Sequence, residues 1–127
     1  MAILLDRPTA SSRVTVDFFG RPFHAAVAAA DLARASGCMI LPVFLPHVER
    51  GYRIELLPPI EYVRDELGNR EAREKLTQRI FRAFEPFVRQ YTDQWYHFIP
   101  MWPPAKLYEK ASDPGAAGGA SIERRAQ

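Results

Sequence analysis

The chain has 127 residues with 17 basic and 15 acidic side chains, and a net charge of +2 gives no argument for a nucleic-acid partner. A hydrophobic fraction of 47% suits one modest globular core, yet no apolar run approaches the roughly 20 residues that a spanning helix requires. The first residues lack a signal-peptide pattern, so a soluble or peripheral domain is expected rather than an integral one.

Ala2-Ile3-Leu4-Leu5 is an all-apolar run of the kind found in a central strand. Residues 11–19 alternate in part, with Val14, Val16 and Phe18 against Arg13, Thr15 and Asp17, which predicts an edge strand or extended loop. Gly20-Arg21-Pro22 is expected to break it. Residues 23–36 are Ala-rich, with Val27, Leu32 and Ala35 on or near one stripe and Gly37 in the C′ position, so a helix is predicted there. Residues 38–45 read as a second apolar strand interrupted only by Pro42. With the first strand it predicts a right-handed βαβ core in which Ile3, Leu5, Leu32, Ile40 and Val43 are buried together.

A turn follows, and Tyr52 to Leu56 alternates as a half-buried strand, antiparallel to its predecessor, before Pro58-Pro59 stops it. Asn69 is the expected N-cap of a long helix, with Glu71 and Glu74 in its first turns. Leu76, Ile80, Phe84, Phe87 or Val88, and Tyr91 form its apolar stripe over about four turns, with a bend at Pro86. An aromatic cluster runs from Trp95 to Trp102. Residues 104–127 are expected to form a flexible tail, rich in Gly, Ala and Ser from about Ser112. The fold class predicted is α/β, a mixed sheet with covering helices.

Few residues carry chemistry. Asp6 and Arg7 lie just past a strand's C-terminal end, where open α/β sheets place ligands, and an Arg there can grip phosphate bidentately. A plain surface ion pair is the alternative. Phe18-Phe19-Gly20-Arg21-Pro22 reads by itself as a simple hydrophobic turn. Cys38, the single cysteine, excludes an internal disulfide and reads as a small core residue. No metal-ligand spacing, Ser–His–Asp set or Gly-rich phosphate loop is present. Trp95, Tyr96, Phe98, Met101 and Trp102, with Lys106 and Lys110 beyond, form either a membrane-interface patch or an aromatic cap on the core.

Taken together, Asp6-Arg7, the segment Val14-x-Val16-x-Phe18-Phe19-Gly20, Leu41-Pro42-Val43 and Asp93-Gln94-Trp95-Tyr96 resemble the C-terminal half of the lysophospholipid acyltransferase superfamily. The likeness is to the branch of the bacterial lipid A late acyltransferases and the phosphatidylinositol mannoside acyltransferases, and it spans residues 2 to 103. Pro8 departs from the third position of that branch's Asp-Arg-Asp-type loop, and no His-Arg-Arg run follows Tyr96. The resemblance implies a partial glycerolipid-acyltransferase-like fold over residues 1–103. It also implies direct attack of a glycolipid hydroxyl on an acyl thioester, with no cofactor, no metal and no covalent acyl-enzyme.

Asp6 and Arg7 would then hold the acceptor head, and Phe18, Phe19, Gly20 and Arg21 would help to wall the pocket. An acyl carrier protein or coenzyme A thioester is the implied donor, and the cytoplasmic face of the inner membrane the implied peripheral location. The superfamily's general base belongs to a His-x-x-x-x-Asp/Glu motif. Here His24, His47 and His97 are followed at that distance by Ala29, Tyr52 and Trp102, so no catalytic residue is assigned. Inactivity of the chain alone is expected, with an N-terminal half encoded upstream as a protein partner. A non-catalytic interaction or lipid-binding module built on the same scaffold is the alternative.

Overall fold

The structure, a computed structural model, describes residues 2–3, 12–95 and 102. The alternation of 13–18 is realised in full as strand β1, Arg13–Phe18, with Val14, Val16 and Phe18 inward and Arg13, Thr15 and Asp17 outward. It pairs antiparallel with β2, Arg21–Ala26, from Arg13↔Ala26 to Phe18↔Arg21. The Gly20-Arg21-Pro22 break is therefore a hairpin turn and the first residues of β2.

Helix α1 starts at Ala28, not at Phe23, and ends at Ser36. The Ala-rich composition of 23–36 concealed the change of element. Phe23, Ala25 and Ala26 face the core as strand residues, whereas Ala30 and Ala33 do so as helix residues. Gly37 takes the left-handed conformation at the C-cap as expected, and its N–H donates to the Ala33 carbonyl.

Pro22 is tolerated in β2 for a specific reason. Both backbone groups of its partner Asp17 turn away from β2. The Asp17 N–H donates to Oε1 of Gln78 at 2.6 Å, and its carbonyl accepts from Nε2 at 2.7 Å. Asp17↔Pro22 is thus a non-hydrogen-bonded pair, where proline's missing N–H costs no ladder bond.

The expected strand over 38–45 is reduced to an Ile40↔Ile60 bridge and β3, Val43–Phe44, which pairs antiparallel with β6, Glu55–Leu56. Between them β4, His47–Val48, and β5, Gly51–Tyr52, make a second two-residue ladder. Val43 is 42% exposed, so it does not join a buried βαβ core, while Leu32, Ile3 and Ile40 are only partly covered. Leu5, and with it the handedness of the first crossover, lies outside the described residues. Among the described residues every ladder is antiparallel. The α/β class holds, as small antiparallel sheets with two helices.

Asn69 caps α2, Arg70–Gln90, by accepting the Glu71 N–H on its side chain at 3.0 Å. At 21 residues α2 is nearly two turns longer than its apolar stripe suggests, and it accommodates Pro86 on an exposed face. Leu76, Ile80, Phe81 and Val88 press onto the inner face of the hairpin and onto Ala30 and Ala33. Arg73 joins three elements, reaching the Leu67 and Gly68 carbonyls through Nη1 and Asp31 through Nε at 3.2 Å. Arg64 donates to the carbonyls of Arg34 and Ala35 at the end of α1.

Candidate functional site

The turn end of the hairpin is the part of the expected site that the structure describes. Phe19 and Gly20 are the two central residues of the turn and both have positive φ, +55° and +73°. That is the type I′ pattern, whose twist matches the flanking strands. No heavy atom lies within 4 Å of where a Cβ of Gly20 would stand, so the glycine is required by conformation. Phe19 has no such freedom, and left-handed backbone costs an ordinary residue roughly 1–2 kcal/mol.

Three interactions hold it there. Its N–H donates to Oε1 of Glu85 at 3.0 Å, its ring lies 4.5 Å from that of Phe18, and the Arg89 guanidinium stands 5.3 Å from its centroid. Oδ1 of Asp17 accepts the N–H of Gly20 at 3.2 Å. The turn is thus clamped by α2, since Gln78, Glu85 and Arg89 share one helical stripe at i, i+7 and i+11, with Arg82 between them. This clamp was not anticipated. Its only sequence signal is that polar stripe flanking the apolar one.

Under the turn lies an aromatic cluster. Phe18, only 2% exposed, packs edge-on to Phe81 and Trp95 and stacks on Trp102 at 6.1 Å. Trp95 and Trp102 therefore cap the core; Tyr96, Phe98 and Met101 lie outside the described residues. Of the residues expected to bind substrate, the structure brings together Phe18, Phe19, Gly20 and Arg21. Phe18 faces inward as core, Phe19 is half-buried, and Gly20 and Arg21 face solvent. The Arg21 guanidinium covers Trp102 at 5.7 Å. Asp6 and Arg7 lie outside the described residues.

The histidines stand apart from the turn's inner face. His24 is on β2, not at a helix start, with Nδ1 3.2 Å from Oγ1 of Thr15. His47 is on β4 with its ring edge-on to Tyr52. His97 lies outside the described residues. Cys38 is half-buried rather than in the core, and no metal-binding cluster of His, Cys, Asp and Glu occurs among the described residues.

A second concavity of about 730 Å³ lies at the other end of α2. Tyr62, Leu67 and Leu76 form its apolar floor, and Glu61, Glu66, Lys75 and Arg79 its rim. Lys75 is already paired with Glu71 at 2.7 Å, and that hydrogen bond, with the charge behind it, lowers the Glu71 pKa and raises that of Lys75.

The family model for bacterial lipid A biosynthesis acyltransferases matches residues 1–103, which include the clamped turn and its aromatic cluster. The chain belongs to this family. It is also similar to the phosphatidylinositol mannoside acyltransferase of Mycobacterium tuberculosis, in strains CDC 1551 / Oshkosh and ATCC 25618 / H37Rv. Each is 24% identical over 102 residues, covering 80% of this chain and 30% of the relative. The chain thus spans about 30% of the length of these curated relatives. No helix of the described residues is long and apolar enough to cross a membrane.

Proposed function

We propose that this acyltransferase-family domain supplies the acceptor-binding side of a fatty acyl transfer to a glycolipid. The carrying observation is the family match over residues 1–103, joined by likeness to an enzyme named for acylating a phosphatidylinositol mannoside. In the reaction, the acceptor hydroxyl attacks the thioester carbonyl. A C–O ester bond forms, the C–S bond breaks, and the hydroxyl proton passes through a general base to the departing thiolate.

In this reading Asp6 and Arg7 hold the polar head of the acceptor, and Phe18, Phe19, Gly20 and Arg21 wall its pocket. The donor is an acyl carrier protein or coenzyme A thioester. The work place is the cytoplasmic face of the inner membrane, with peripheral contact. No histidine of the chain is followed by an acid at the spacing of the superfamily's general base. That observation favours a second reading, in which the 127-residue chain alone binds acceptor without turnover.

A radiolabelled acyl-transfer assay on the 127-residue chain, run beside binding of a phosphorylated glycolipid to wild type and Arg7→Ala, separates these readings. No turnover with weakened binding by the variant is the expected result. Turnover by the chain alone overturns the inactive reading, and equal binding by both proteins overturns the role of Arg7.

A further inference from the structure

Some arginines of the described residues are engaged by the fold and others are not. Arg53, Arg70 and Arg73 are paired with Glu55, Glu74 and Asp31, and Arg64 is spent on the end of α1. Arg21, Arg82 and Arg89 are among the others. All three are exposed, and no carboxylate of the described residues pairs with any of them. They converge on one place. Arg21 opens β2 opposite Phe18, its register partner, and Arg82 and Arg89 stand on the α2 stripe that clamps the turn.

Two of the guanidiniums lie on aromatic faces, Arg21 on Trp102 and Arg89 on Phe19. Such stacking fixes the plane of an arginine and leaves its N–H edges free to donate. The two acids nearest the turn are already engaged, Asp17 by the N–H of Gly20 and Glu85 by that of Phe19. The formal balance is three positive charges against two negative. A further donor lies beneath: Nε1 of Trp102 is buried and has no acceptor among the described residues. A buried unsatisfied donor costs about 1–3 kcal/mol, so donors are in excess here and acceptors are lacking.

The geometry points to an anion site at the turn end of the hairpin, in which Arg21, Arg82 and Arg89 grip a phosphate ester whose apolar part rests on Phe19 and Trp102. Planar guanidiniums match phosphate oxygens bidentately, and the half-buried rings suit an amphipathic ligand rather than a bare ion. The site itself is independent of the acyltransferase reading. Assigning its phosphate to a lipid acceptor rests on that reading, because a lipid head and the phosphates of coenzyme A share this chemistry.

The test is direct, because Trp95 and Trp102 are the chain's two tryptophans and both belong to this cluster. Intrinsic fluorescence of the full chain is titrated at constant salt with inorganic phosphate, with coenzyme A, and with phosphatidylcholine vesicles with or without phosphatidic acid. Saturable quenching is expected, tighter for the esters than for inorganic phosphate. Arg21→Gln, Arg82→Gln and Arg89→Gln should each weaken it about tenfold, the loss of one charge-assisted hydrogen bond. Arg50→Gln, at an exposed arginine in the turn between β4 and β5, should leave it unchanged.

Equal loss in Arg50→Gln, or no loss in the three site variants, overturns the site and leaves the acyl-transfer assay unaffected. Arginine-dependent binding of coenzyme A without phosphatidic acid vesicles keeps the site but removes the lipid acceptor as its ligand. Thermal unfolding of Arg82→Gln should match wild type, while Arg21→Gln and Arg89→Gln should unfold only slightly earlier, each losing one exposed cation–π contact.

Discussion

The hairpin with α2 and the extended segment 38–63 start from comparably apolar sequence and reach different ends. In the hairpin one face of each strand is apolar, and the length of α2 covers it, so Phe18, Phe23, Ile80 and Phe81 exclude water from one another. In 38–63 the alternation is just as regular, with Ile40, Pro42, Phe44 and Pro46 turned in and Met39, Leu41, Val43 and Leu45 turned out. The outward residues are apolar too, and with Ile54 and Leu56 they make an uncovered face. Its ladders are two residues long, tied to α2 mainly by Phe44 on Phe87 and Tyr91 and by Arg53 donating to the Tyr91 hydroxyl. Apolar pattern makes a strand possible. Only an opposing surface of matching extent makes it a core.

Both regions also use one edge device. Gln78 brackets the N–H and carbonyl of Asp17, and Gln94 brackets those of His47 at 2.7 and 3.2 Å. Each glutamine amide stands in for a neighbouring strand.

The comparison breaks most sharply in the core. Phe18→Ala should cost about 3–5 kcal/mol in denaturant unfolding, the range for large aromatic truncations. A loss near that of a surface substitution would show that the aromatic cluster does not hold the hairpin. Gln78→Ala should come next, at about 1–3 kcal/mol for two hydrogen bonds. Gln94→Ala should leave the global midpoint nearly unchanged while speeding amide exchange at His47. Equal global losses in the two variants would mean that the two regions unfold as one unit.

Gly20→Ala should cost about 1 kcal/mol, because a Cβ finds space but φ of +73° disfavours it. Leu45→Ser and Ile54→Ser, at residues 57% and 66% exposed, should stay within about 0.5 kcal/mol of wild type. A larger destabilisation would show that the uncovered face is buried in solution.

The smallest effect lies at the rim of the second concavity. The lowered Glu71 pKa contributes stability that is present above the ordinary carboxylate range and lost as pH falls through the lowered value. The raised Lys75 pKa contributes below its ordinary range and is lost as pH rises through the raised value. Lys75→Met should therefore flatten the acid limb of the stability profile slightly and leave neutral stability almost unaltered. A steeper acid limb would contradict the pairing.

Sequence alone determined β1, the Asn69 cap, the glycine end of α1, the apolar stripe of α2 and the family. Each is a local matter, an alternation, a cap or a string of residues legible without knowing what lies opposite. Tertiary structure decided the rest. Phe19-Gly20 is a turn and 21–26 a strand because the bracket from Gln78 and the bond from Glu85 hold the chain there, across 61 and 66 residues of sequence. The inner and outer faces of 39–45 are equally apolar, so composition could not tell which would meet α2. The unpaired arginines were invisible for the same reason, since a guanidinium is free or spent according to what folds beside it.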